Sequence, residues 1–150
     1  MSSRIYFWIT GIFVFVLDRL TKVWVLNNLV GKEIKLTSFL NLVFVGNKGI
    51  VFGIGNNYRS SGTFIFASVV AIIVVFLLFR KLKSADKYVY ISLGMILGGG
   101  FGNLVDRVIY GYVVDFIDFH IGNYHWPAFN VADTFIVLGV LLFLSRWKGG

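Results

Sequence analysis

Four apolar runs, at residues 5–26, 63–79, 88–104 and 132–147, constrain this chain more than any other feature. Each is near the roughly 20 residues that a membrane-spanning helix needs, the shorter ones with flanking residues included. A soluble domain is about 45–50% apolar and about 25% charged. This chain of 150 residues is 57% hydrophobic and 14% charged, with a mean hydropathy of +0.81. A larger water-soluble core does not explain the excess, because a chain this short has too much surface to cover. Lipid as the solvent does. The expected fold is a membrane all-α domain of four transmembrane helices, forming one unit over residues 1–150. The first run reads as a retained span and not as a cleavable signal peptide, since no small-residue cleavage site follows it.

The charges orient the bundle. Arg4, Arg80, Lys81, Lys83, Lys87, Arg146 and Lys148 lie on one side and face a single acid, Asp86. The other side carries the remaining basic residues together with Asp18, Glu33, Asp106, Asp115, Asp118 and Asp133. An excess of lysine and arginine marks the cytoplasm, so both termini are expected there, in keeping with an even number of spans. The net charge of +7 does not point to nucleic acid, because the basic residues cap apolar runs and form no stripe. With no cysteine, disulfides, iron–sulfur clusters and thiolate nucleophiles are excluded.

Two connections then face outward. In residues 31–62, Ile34-Lys35-Leu36 and Phe39-Leu40-Asn41-Leu42-Val43-Phe44-Val45 read as short strands, being β-branched and aromatic with glycines between. The second connection, residues 105–129, holds most of the acids and both histidines.

Ionisable residues in or beside spanning helices are costly and are functional candidates by default. Asp18 and Lys22 stand at i and i+4 and pair on one helix face; an interfacial helix end anchored by its cations is the plainer reading. Asn47 and Gly49, followed by Phe52 and Gly53, suggest a turn or bulge that brings backbone close to something, or a bare hairpin turn. Gly94, Gly98 and Gly102 recur every four residues, which lets helices approach closely, and Asn103, Asp106 and Arg107 follow them as a catalytic or a purely structural polar network. Asp115 sits among Val113, Val114, Phe116 and Ile117, and Asp133 lies at the start of the last run with Asn130 three residues before it. Two carboxylates in apolar settings suggest a pair sharing one proton; Asp133 as a helix-N-terminal acid is the alternative. The spacing of His120, His125 and Asp118 matches no metal signature, and no serine–lysine or serine–histidine arrangement is evident.

Together these segments resemble the bacterial lipoprotein signal peptidases, or signal peptidase II. The resemblance is carried by Asp18-Arg19-Leu20-Thr21-Lys22, by Asn47-x-Gly49-x-x-Phe52-Gly53, by Gly102-Asn103-Leu104-Val105-Asp106-Arg107 with Val113-Val114-Asp115-Phe116, and by Phe129-Asn130-Val131-Ala132-Asp133. Val51 stands where the family commonly has a smaller residue. The resemblance implies an aspartic endopeptidase with Asp115 and Asp133 catalytic and with Asn47, Gly49, Asn103, Asp106, Arg107 and Asn130 in support. Asp18 and Lys22 would be structural or near the site. It also implies a small extracytoplasmic β-sheet cradle and a short outer helix over the site. The substrates would be diacylglyceryl-modified prolipoproteins, cut before the lipidated cysteine at the outer face of a bacterial inner membrane. No cofactor is implied; membrane lipids are the other partners, and the enzyme is expected to act as a monomer. A small proton-coupled transporter using the acids as a relay is the alternative reading.

Overall fold

A computed structural model of the chain describes residues 3–49, 59–83 and 85–147. Val51, Phe52 and Gly53 of the second motif lie outside the described residues. Four helices are described: α1 (Ile5–Asn28), α2 (Arg59–Lys81), α3 (Lys87–Tyr110) and α4 (Val131–Arg146). They accompany four short strands, β1 (Ile34–Lys35), β2 (Leu40–Asn47), β3 (Val113–Ile121) and β4 (Tyr124–His125). The strands form one antiparallel run in chain order. Helices α1, α2 and α4 all pack on α3. The short outer helix expected from the resemblance is not among the described elements.

The helices follow the apolar runs, with one instructive extension. The sequence reading ends the third helix at 104, where polar residues begin, but α3 continues to Tyr110. Asn103 and Asp106 are buried, so they belong to the helix's packed face and not to a loop. Gly111 ends the helix in the left-handed conformation at φ 76°, which costs a glycine nothing.

The distribution of side chains is inverted relative to a water-soluble protein. Asp18, Lys22 and Asp106 are completely buried, whereas Ile12, Leu20, Phe66 and Leu144 are more than 60% exposed. Lipid tolerates that arrangement; water does not. Among the described residues, 62–81 of α2 and all of α3 are long and apolar enough to cross a membrane. Helix α1 carries Asp18, Arg19 and Lys22, and α4 has 16 residues, about 24 Å at 1.5 Å per residue.

In lipid, helices gain little from apolar burial and associate by close packing. The glycine stripe provides it. A Cβ at Gly94 or Gly98 would run into the α1 backbone at Phe7 or Gly11, and one at Gly102 would overlap the Asp18 carboxylate. Gly99 faces Ala132 and Ile136 of α4 in the same way. At the end of the bundle that holds the α2–α3 turn, Phe7 stacks on Phe79 at 3.9 Å beside Tyr90 and Leu93. At the other end, Val25 of α1 and Leu29, which follows the helix, pack under Val114 and Phe116 of β3. That second cluster fixes the sheet to the helix ends.

Candidate active site

The site lies where the α1, α3 and α4 ends meet the sheet. Asp115 is buried on β3, 1% exposed, and both its oxygens are hydrogen-bonded. Asn47 Nδ2 donates to Oδ2 at 2.8 Å and Asn130 Nδ2 donates to Oδ1 at 2.7 Å. The Asn47 contact depends on a bulge in β2. Leu42 pairs with Ile117, but Val45, not Phe44, pairs with Asp115. One extra residue reverses which side chains face which way, and so turns Asn47 to the face that carries Asp115. Burial, and then the Asp133 charge, push the Asp115 carboxyl up to about 6, against the opposing hydrogen bonds from Asn47 and Asn130 and the attraction of Lys22.

Asp133 is half-buried in the first turn of α4. It forms a capping box with Asn130: Asn130 Oδ1 accepts the Asp133 N–H at 2.9 Å, and Asp133 Oδ2 accepts the Asn130 N–H at 3.3 Å. This exchange satisfies orphan donors of the helix start, and it also aims the rest of both side chains. The Asn130 amide nitrogen is left free to donate to Asp115 and, at 3.1 Å, to Asn103 Oδ1. Asn103 Nδ2 in turn donates to Asp133 Oδ1 at 2.8 Å. Two amides therefore join the two carboxylates, and each amide's donor and acceptor ends are assigned by its partners.

Behind this chain is a buried charge network. Lys22 Nζ lies 2.9 Å from Asp18 Oδ2, 2.9 Å from Asp106 Oδ2 and 2.8 Å from Asn103 Oδ1, which uses all three ammonium protons. Asp106 also meets Arg19 at 2.6 Å. The second duty of each acid is to hold backbone: Asp106 accepts the N–H of Val114, and Asp18 that of Ala132, each at 3.0 Å. These are the residues immediately before Asp115 and Asp133. The i, i+4 pairing expected of Asp18 and Lys22 is present, and it is fully buried, not interfacial.

Arg107 Nη1 donates to the Asn103 carbonyl at 3.3 Å, and its charge lies within electrostatic reach of Asp133, Asp115 and Asp106. Gly49, at φ 75°, donates its N–H to Asn47 Oδ1 at 2.8 Å. The ten residues that the resemblance assigns to the site thus lie in one region. Sequence reasoning missed Arg19, which lies beside Asp18 in the first motif but about 100° around the helix from it, so spacing gave it no partner. It also missed Phe64 of α2, whose ring meets Gly49 and Arg107. Asp118, His120 and His125 lie apart, toward the far end of β3. His125 Nδ1 is 2.8 Å from Asp118 Oδ1, Asn41 donates to Asp118 at 3.3 Å, and the two imidazoles stack.

Comparison with known proteins gives the family. The family model described as "Signal peptidase (SPase) II" matches residues 10–147. A lipoprotein signal peptidase of Thermodesulfovibrio yellowstonii is 41% identical over 148 residues, covering 97% of each chain. One of Francisella tularensis subsp. novicida is 38% identical over 150 residues, covering 97% of this chain and 92% of its own. Two solved structures, both described as a bacterial membrane enzyme determined by the in meso method, have the same fold at 28% identity. The one at 1.9 Å resolution aligns with a TM-score of 0.82 over 95% of this chain and 92% of its own. The one at 2.3 Å has a TM-score of 0.77 over 93% and 85%. An outward apolar surface, a buried polar network at the helix ends and a family match over nearly the whole chain agree: this protein belongs to the signal peptidase II family of membrane proteases.

Proposed function

We propose that the chain is an aspartic endopeptidase that removes signal peptides from diacylglyceryl-modified prolipoproteins, cutting just before the lipidated cysteine, with Asp115 and Asp133 as the catalytic pair. The observation that carries the reading is the amide chain Asp115–Asn130–Asn103–Asp133, which ties a buried carboxylate to a half-exposed one. A count of charges supports one shared proton. Four carboxylates (Asp18, Asp106, Asp115, Asp133) meet three cations (Arg19, Lys22, Arg107). One proton on the pair makes the cluster neutral, and burial favours neutrality.

The proposed chemistry follows from the two environments. Burial favours the protonated form of Asp115. Asp133 takes a proton from a water that attacks the scissile carbonyl, while Asp115 gives its proton to the carbonyl oxygen. The tetrahedral intermediate collapses as the C–N bond breaks: the new cysteine amine takes the proton that Asp133 received, and Asp115 takes back a proton from a hydroxyl of the intermediate, which restores the pair and leaves the carboxyl product. Asn47, Asn130 and Asn103 orient the carboxyls; Arg107 balances their charge. Asp18, Lys22 and Asp106 hold the two backbone segments.

In the membrane, the reading is a single domain of four spans with both termini cytoplasmic, acting as a monomer. The active site lies at the extracytoplasmic face of the bacterial inner membrane. There the exposed apolar helix faces admit the substrate's acyl chains from lipid. Incubation of the purified protein with two synthetic peptides tests the function. One carries the diacylglyceryl cysteine and the other the unmodified cysteine. Cleavage of the first alone, immediately before the cysteine, is expected. No cleavage of either, or cleavage at another bond, contradicts the reading.

A further inference from the structure

We propose that Phe64, near the start of α2, is a positioning residue for the acid pair, its ring seating both the turn that carries Asn47 and the Arg107 guanidinium. The proposal rests on the roles given above to Asp115 and Asp133. Helix α2 packs on α3 with much of its surface open to lipid; Phe66, two residues on, is 70% exposed. Phe64 is instead half-buried and turned toward the site.

Two lines of contact leave its ring. On one side is Gly49, where an added Cβ would overlap the ring atoms. Gly49 has no freedom to be another residue for two reasons, its φ of 75° and this ring. Its N–H donates to Asn47 Oδ1, which turns the Asn47 amide nitrogen toward Asp115 Oδ2. On the other side, the Arg107 guanidinium carbon lies 5.8 Å from the ring centroid, within the range of a cation–π contact. Among the described residues Arg107 otherwise makes one hydrogen bond, to the Asn103 carbonyl, so the ring face limits where its charge sits relative to Asp133 and Asp115.

Both lines act on Asp115 with the same sign. The groups facing it are Lys22 of α1, Arg107 of α3, Asp133 of α4, and the Asn47 and Asn130 amides. If the ring is lost, the guanidinium drifts and the Asn47 amide loosens. Each change disfavours the ionised carboxylate and raises its titration point.

The test is carbon-13 titration of the Asp115 carboxyl in detergent-solubilised wild type, Phe64→Tyr and Phe64→Leu, the signal being assigned with Asp115→Asn. Tyrosine keeps the ring face; leucine keeps apolar volume without it, and Phe64→Met does the same should leucine lower the yield. Phe64→Leu is expected to raise the Asp115 titration by about half a pH unit or more, and the alkaline limb of kcat/KM against pH, where Asp115 loses the proton it donates, should follow it. Phe64→Tyr should match wild type in both. An unchanged Asp115 titration in Phe64→Leu, or equal shifts in the tyrosine and leucine variants, overturns the proposal. The titration reads Asp115 directly, so it reports on Phe64 even should Asp115→Asn retain cleavage, the result that defeats the acid-pair reading.

Discussion

Asp106 Oδ2 accepts the backbone N–H of Val114 at 3.0 Å, one residue before Asp115. The same oxygen meets Lys22 at 2.9 Å, and Oδ1 meets Arg19 at 2.6 Å. Asp106 therefore holds a chain segment and two cations at once, with no exposure to solvent. Removing one partner of a buried ion pair typically costs about 3–5 kcal/mol. Asp106→Asn should lower stability by an amount of that order, at least as clearly as it lowers turnover. Denaturation in detergent checks it. A fully stable variant with no activity would place Asp106 in the chemistry itself.

Asn130 has two duties that a single substitution separates. Serine caps helices about as well as asparagine but has no amide to donate to both Asp115 and Asn103. Asn130→Ser should keep the cap and lose about 1–3 kcal/mol of stability, from the buried Asp115 oxygen left without its donor. It should lose about tenfold to a hundredfold in kcat/KM, since hydrogen bonds to charged groups are worth about 1.5–3 kcal/mol. An unchanged kcat/KM in this variant would reduce Asn130 to a cap.

The Asp115 carboxyl titrates at about 6 where an ordinary aspartate titrates at 3.8. The folded state thus binds this proton more tightly than the unfolded chain. Its contribution to stability is present in full below the ordinary value and is lost as the pH rises through about 6. Asp115→Asn carries no such proton, so its stability relative to wild type should rise between about pH 4 and about pH 7. Paired denaturation curves over that range measure the slope. A difference independent of pH would mean that Asp115 is not perturbed.

Charge asymmetry also predicts sidedness. Single cysteines introduced at Lys83, in the α2–α3 turn, and at Asn123, in the β3–β4 turn, should label from opposite faces of the membrane, Lys83 from the cytoplasm. The native chain has no cysteine to interfere. Labelling of both positions from outside contradicts the four-span topology.

Much of the fold was legible because lipid makes apolar runs unmistakable, and the four helices lie over the four runs. Helix ends were less legible. Asp106 and Arg107 fall in the connection when polarity is taken to mean exposure, yet α3 continues through them because the partners of Asp106 are inside. The motifs supplied the residue types of the site but not its pairings. Nothing in the order of residues says that Asp18 reaches Ala132, or that Asn103 serves Lys22, Asn130 and Asp133 together. The β2 bulge was equally hidden: Phe39–Val45 reads as a plain strand, and only the register with β3 reveals which face Asn47 takes. Phe64 had no signal at all, being one aromatic in an apolar run.

Cleavage of a diacylglyceryl-cysteine peptide by purified Asp115→Asn, Asp133→Asn and the double variant tests the central claim most directly. Asparagine is nearly isosteric with aspartate but neither takes the proton of the attacking water nor returns it. Each single variant should remain folded, still bind the lipidated peptide and show no cleavage. The double variant should be no worse than either, because residues acting as one unit are strongly non-additive. Substantial turnover by Asp133→Asn, free of wild-type enzyme, would contradict the two-aspartate mechanism.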